Sequence, residues 1–545
     1  MERFEMVAKT FQGLEEILAE ELRALGAENV QPGCRMVSFD GTLETLYRAN
    51  MCCRTALRIL RPFYKFFASS TDELYEMAKE FDWASLFGPD KTFAVDTVAY
   101  SEEFTHSRYA TYRVKDAIVD WFRDHYGDKR PRVSTQDADI LINLHIDGDR
   151  VTLSLDSSGE SLHKRGYRAA QTEAPINEVL AAGIILRSGW RGECPLIDPM
   201  CGSGTFLIEA ALIAANINPG VFRSKFAFES WKDFDADLFD SIYNDDSQER
   251  EVTCRIIGAD ISPAAIAIAQ RNIRSAGVQK YIDIQAKSLA QWDDAPEGGM
   301  IITNPPYGER INVADMEGLY ALLGSKLKHV FQGYHAWVIG YRDEYFAKIG
   351  LAPSEKIPLL NGALQCTLME YVIFEGKRSE FRKAGGEFKH RDRFEHRNTD
   401  RKPARRRLSD DEWKAGAAKK GFGGRDGRQT PGDRFRKAFD KASDRPSRRS
   451  ADKDNRPERR PRRDNENGSS FNTRGREDRQ RNPRGRRFAD SPYPFQKKEK
   501  TGLQIEGKTP SLPPSDGPIM RERRAGWKTR PDFTAKQEND TDNKD

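Results

Sequence analysis

Asn304-Pro305-Pro306-Tyr307 is the stretch of this 545-residue sequence whose residue types carry the most specific chemistry. It follows an apolar run, Met300-Ile-Ile-Thr303, and precedes Gly308. An amino group on an aromatic ring is a poor nucleophile, because its lone pair is delocalised into the ring. A side-chain amide oxygen and a backbone carbonyl can accept its two hydrogens and localise that lone pair toward an incoming methyl group. Asn304 offers the first acceptor and Pro305 or Pro306 the second. The prolines fix φ and remove backbone donors that would compete at this point. Tyr307 adds an aromatic face for a base rotated out of its stack. The plainer alternative is an Asn-Pro turn that ends a strand. It accounts for the four residues singly, but not for their place after a second feature.

That second feature is Asp198-Pro199-Met200-Cys201-Gly202-Ser203-Gly204-Thr205, between a strand-like and a helix-like run. Glycines there let the backbone approach a ligand, and the following helix N-terminus presents free N–H groups. A phosphate loop would bring a Lys in G-x-x-x-x-G-K-[ST], and a dinucleotide loop the G-x-G-x-x-G triplet. Neither is present, since Gly204 is followed by Thr205-Phe206-Leu207. A third feature, Gly258-Ala259-Asp260, ends the next strand-like run. Its carboxylate can accept hydrogen bonds from both hydroxyls of a ribose. It lies farther from the loop than the ~20 residues of the dinucleotide fingerprint. The excess is accounted for by an inserted segment, residues 222–251, rich in aromatic and acidic residues.

The elements that must position these residues follow from periodicity. Pro195 to Asp198, Cys254 to Asp260, Met300 to Thr303 and Trp337 to Gly340 are short buried strands alternating with helices such as 177–190 and 204–215. This pattern predicts a parallel, doubly wound sheet. Upstream lies a different pattern. Strands are predicted over Phe4–Lys9, Met36–Phe39, Thr92–Ala99, Leu141–Ile146 and Val151–Leu155, with helices over 13–26, 43–49 and 112–122. This is an α+β module without an obvious catalytic motif.

Charge divides the chain differently. From Arg378 onward there are 48 Lys and Arg against 29 Asp and Glu, a surplus of 19 positive charges; the remainder holds 40 against 55, a deficit of 15. Runs such as RPERRPRRDNENGSS cannot bury enough apolar surface to offset the entropy of ordering. The tail is therefore expected to be disordered and to tether a polyanion. The seven cysteines include no C-x-x-C pair, which argues against zinc, and their odd number argues against a disulfide framework. No secretory signal or membrane-spanning apolar stretch is visible, so a cytoplasmic setting without a membrane partner is expected.

The loop at Asp198–Thr205 and the Asn304–Tyr307 tetrapeptide resemble motifs I and IV of class I (Rossmann-like) methyltransferases. With LHKRGYR, EAPIN, RSGW and NGALQC, in this order along residues 1–377, the chain resembles the THUMP-containing guanine-N2 RNA methyltransferases, on their large-subunit (23S) ribosomal RNA branch. The resemblance implies a ferredoxin-like domain over residues 1–50, a THUMP RNA-binding domain over 51–157 and a methyltransferase domain over 165–377, followed by the basic tail 378–545. It implies S-adenosyl-L-methionine as cofactor, held by Asp198, Met200, Cys201, Gly202, Ser203, Gly204, Thr205 and Asp260. Where many class I enzymes aim an Asp at the adenine, this chain has Lys287-Ser288, so Ser288 is the candidate there. It implies a metal-free transfer with Asn304, Pro305, Pro306 and Tyr307 at the target amine, and RNA as partner. The basic tail is expected to stand where some relatives carry a second, fused methyltransferase domain. The rivals are a transfer-RNA guanine methyltransferase, an adenine-N6 methyltransferase and a non-catalytic RNA assembly factor.

Overall fold

The computed structural model describes residues 2–172, 175–306, 315–362, 364–374 and 376. The basic tail from 378 on and Tyr307 lie outside the described residues.

Residues 4–156 build one eight-stranded sheet. In chain order its elements are β1 (Phe4–Lys9), α1 (Glu15–Ala24), β2 (Glu28–Gly33), β3 (Met36–Gly41), α2 (Leu43–Cys52), β4 (Arg58–Phe67), α3 (Thr71–Lys79), β5 (Thr92–Tyr100), α4 (Ser107–His125), β6 (Arg132–Val133), β7 (Ile140–Asp147) and β8 (Arg150–Asp156). The strand order is β2-β3-β1-β4-β8-β7-β5-β6. β1 alternates buried and half-buried residues, so one face rests on α1 and α2 and the other stays partly wet. Thr42 caps α2 with a capping box. β4 joins the two halves, pairing antiparallel with β1 at one end and with β8 along most of its length. A register shift near Pro62 explains why this strand escapes sequence reading: a proline inside a run of mixed charge and aromatics looks like a break.

The second sheet has seven strands. Its elements are α5 (Glu178–Arg187), β9 (Leu196–Asp198), α6 (Thr205–Ala214), α7 (Ala236–Tyr243), β10 (Ile256–Asp260), α8 (Pro263–Ser275), β11 (Ile282–Ala286), β12 (Gly299–Thr303), α9 (Met316–His329), β13 (Tyr334–Gly340), α10 (Asp343–Ile349), β14 (Glu355–Asn361) and β15 (Leu364–Val372). The order is β11-β10-β9-β12-β13-β15-β14. β9 to β13 are parallel, as expected of buried strands joined by helices. Beyond this parallel, doubly wound part, β15 and β14 run antiparallel at one end of the sheet. Their one-sided patterns, with Ile357 and Leu359 or Cys366 and Leu368 buried, are those of strands covered on a single face.

The inserted segment folds back on the N-terminal sheet. Tyr47 of α2 stacks on Phe228 at 4.5 Å and meets Phe239 of α7 edge-on at 5.5 Å. Among the described residues, no helix is long and apolar enough to cross a membrane.

Candidate functional site

β9, β10, β11 and β12 are neighbours, so Asp198, Asp260, Ser288 and Asn304 all arise at the carboxyl edge of one sheet, with β9 and β12 at the reversal of strand order. Ligands of open α/β sheets sit at such a point.

The loop after β9 is braced from three sides. Gly202 and Gly204 have φ of 52° and 81°, left-handed values that other residues adopt with strain. A Cβ on Gly204 would also stand 3.1 Å from that of Ala269 in α8. The Cys201 N–H donates to the Ala259 carbonyl (2.9 Å), and the Gly202 N–H to Oδ2 of Asp260 (3.0 Å). α6 then begins on Gly204 with no side-chain cap, unlike α5, whose first N–H groups are taken by Asn177. Its amide end faces the loop and suits an anionic ligand group. α6 is buried on every face, so the loop stands on a rigid base.

Asp260 also accepts the Ser262 N–H on Oδ1 (2.8 Å). A carboxylate has about four lone-pair positions, so two protein donors leave room for ribose hydroxyls. Asp198 is buried, and burial, with a smaller contribution from Asp260, pushes its carboxyl up to about 7. Its Oδ1 accepts the Met200 N–H (3.2 Å) and the Thr303 hydroxyl (2.8 Å). The latter bond ties the glycine loop directly to the residue preceding Asn304.

Asn304 itself is half-buried, between fully buried Thr303 and buried Pro305. Its Oδ1 is shielded from solvent and has no hydrogen-bond partner among the described residues. A buried amide oxygen left unpaired costs about 1–3 kcal/mol, and such an acceptor is suited to a donor brought by a ligand. Pro306 is half-buried beside it. Ser288 lies next to Asp260, where the Lys287 N–H donates to the Asp260 carbonyl (3.0 Å). The Ser288 N–H is held by Gln291 (2.8 Å), and the Lys287 ammonium rests over Trp292 at 4.5 Å.

Three residues of the site escaped sequence reading. Arg168 reaches from the segment after the first sheet onto Ser203 Oγ (3.2 Å) and Thr205 Oγ1 (3.0 Å), while Glu178 holds its Nε at 2.6 Å. Asn272 of α8 accepts the Ala169 and Ala170 N–H groups and donates to the carbonyls of Ala170 and Ser203, so every bond it can make is made. It was findable, as a polar residue at the buried period of Ile266, Ala269 and Ile273. Ile261, directly after Asp260, is 77% exposed, an apolar surface where the flat face of a nucleoside base could lie.

Three stretches of the chain match known family models. The family model described as RMKL-like, methyltransferase domain matches residues 165–370, THUMP domain residues 68–156 and RlmL ferredoxin-like domain residues 5–60. A Ribosomal RNA large subunit methyltransferase K/L from Syntrophotalea carbinolica is 42% identical over 378 residues, which is 67% of this chain and 53% of the relative. This chain thus spans about half the length of the large-subunit methyltransferases it matches. A Synechocystis protein that carries the name RNA methyltransferase is 38% identical over 370 residues, 67% of this chain and 96% of that protein. Among solved structures, a methyltransferase complexed with SAH is 31% identical with a TM-score of 0.62, covering 69% of this chain and all of the other.

Proposed function

Since the chain belongs to the THUMP-containing, RMKL-like methyltransferase family, we propose that it transfers a methyl group from S-adenosyl-L-methionine to the exocyclic N2 amino group of a guanine in RNA, in 23S ribosomal RNA above all. The observation that carries this reading is the shielded Oδ1 of Asn304, without a partner among the described residues and one residue from a strand tied to the glycine loop.

The residues present fit the cofactor. Left-handed glycines and the uncapped start of α6 suit its amino-acid end, Asp260 its ribose, and Ile261 with the Ser288 turn its adenine. When bound, the cofactor supplies a methyl group already electrophilic on a sulfonium. What remains for the protein is positioning. Oδ1 of Asn304 accepts one hydrogen of the target amine and the Pro305 or Pro306 carbonyl the other. The lone pair is thereby aimed, and the proton lost on methylation leaves along one of these bonds. Thr303, fixed to Asp198, keeps Asn304 in register with the loop. The N-terminal sheet captures RNA and favours RNA over DNA as substrate.

Asn304→Ala should lower methyl transfer by about two to three orders of magnitude and leave affinity for cofactor and RNA near that of the parent. The assay is tritiated methyl transfer to ribosomal RNA from a deletion strain, followed by nucleoside analysis. Near-parent turnover would remove Asn304 from the chemistry. N6-methyladenosine as product would keep the mechanism and overturn the guanine assignment.

A further inference from the structure

Large apolar side chains that remain exposed are unevenly distributed. Of eight among the described residues, six lie between Val98 and Val133, and the other two, Ile261 and Tyr341, lie at the carboxyl edge of the second sheet. Within the first group Tyr109 and Tyr112 stand out, at 52% and 54% exposure. They are three residues apart on α4, hence neighbours on one stripe of the helix. The opposite face, with Ala110, Val114, Ala117 and Ile118, is buried, and Thr111 bonds Thr97 of β5 at 2.7 Å, so the stripe is held facing outward. Neither ring has an aromatic partner among the described residues; the Lys115 ammonium lies 5.5 Å from the Tyr112 ring.

Further along the same helix a cavity of about 400 Å³ opens, lined by Arg113, Lys115, Arg123 and Arg130 against Asp116 and Asp120. Arg113, Lys115 and Arg123 have acidic partners. Arg130 is exposed and has no ion pair among the described residues. Free aromatic faces followed by an unpaired guanidinium match the alternation of base and phosphate along an unpaired strand. Paired strands keep their base faces stacked inside the helix and cannot offer them to tyrosines.

Resting on the RNA reading above, we propose that the outward face of α4 is a track for an unpaired RNA segment, with bases stacked on Tyr109 and Tyr112 and a phosphate held by Arg130 in the adjoining cavity. α4 spans 19 residues, about 28 Å at 1.5 Å per residue, enough for several nucleotides.

The test uses the full chain and fluorescence anisotropy with a short labelled oligoribonucleotide, single-stranded or annealed to its complement, across a salt titration. Tyr109→Leu with Tyr112→Leu should weaken single-strand binding by about 5-fold to 100-fold at every salt concentration, because the rings are uncharged. Duplex binding should stay as in the parent, and Phe at both positions should restore single-strand binding. Arg130→Ala should lower the log–log salt slope by about 0.7. Parent-like single-strand affinity in the leucine variant overturns the track and leaves the stripe to a protein partner. Equal losses on single strand and duplex overturn it as well, since stacking on free bases predicts a difference. A parent chain that binds neither form removes the RNA reading itself, which separates that failure from failure of the track alone.

Discussion

Asp198 shows how one buried carboxyl can link two chemistries and leave a measurable trace. Its proton affinity is raised in the folded chain, to about 7 against ~3.9 when unfolded. The folded state therefore binds the extra proton more readily than the unfolded one. Stability from this group is present at low pH and is lost as pH rises from about 4 toward 7, on the order of 4 kcal/mol at most. Thermal unfolding across that window should show a flatter pH dependence for Asp198→Asn than for the parent. Identical slopes would mean that the burial of this carboxyl does not govern its titration. The residue was legible beforehand as the acid that opens a glycine loop, and Asp260 and Asn304 were legible by the same logic of strand end plus chemical type. Arg168 was not. Its role depends on where residues 168, 178, 203 and 205 meet in space, and nothing in the spacing of an arginine among other basic residues encodes such a meeting.

Helices were the readable elements, because one buried stripe repeats over several turns and ends in a cap or a glycine. α1, α2, α5 and α6 were all anticipated from that pattern, and so were the buried strands β9, β10, β12 and β13. The hairpin strands β14 and β15 and the joining strand β4 were missed; β4 carries a proline and takes its partner β8 from distant chain. The described residues between β8 and α5 form no helix or strand, yet they reach α6 and the glycine loop. Arg165 and Tyr167 meet Glu209 inside α6, at 3.5 and 2.8 Å, while Arg168 holds the loop. Arg168→Lys keeps the charge and forfeits the fork. Cofactor affinity measured by calorimetry should fall about ten-fold or more, as for loss of a hydrogen bond from a charged group. Unchanged affinity in a folded lysine variant would reduce this segment to a passive linker.

At the scale of the molecule, positive and negative charge are unevenly distributed along the sequence. The acidic body holds the site, and the basic residues after 377 carry the surplus of positive charge. A chain ending at Lys377 should bind ribosomal RNA more weakly and with a shallower salt dependence than the full chain. Its methyl transfer should fall through substrate affinity and not through the rate at saturation. Equal salt slopes for the two chains would make the tail a bystander. This division was visible in composition alone. The joining of the N-terminal modules into one sheet was not, because the pairing of β4 with β8 brings together residues nearly a hundred positions apart.

That pairing also sets a timetable. β4 lacks one of its neighbours until β8 has left the ribosome, since Ser157 must return to the carbonyl of Ile59 across 98 residues. At about 5–20 residues per second, the half-built sheet waits on the order of 5–20 s. During that interval a ten-residue strand rich in aromatics presents an open edge. Nascent chains paused while β8 is still inside the ribosome should therefore be the species that recruit chaperones or pair with one another, and chains whose β8 has emerged should not.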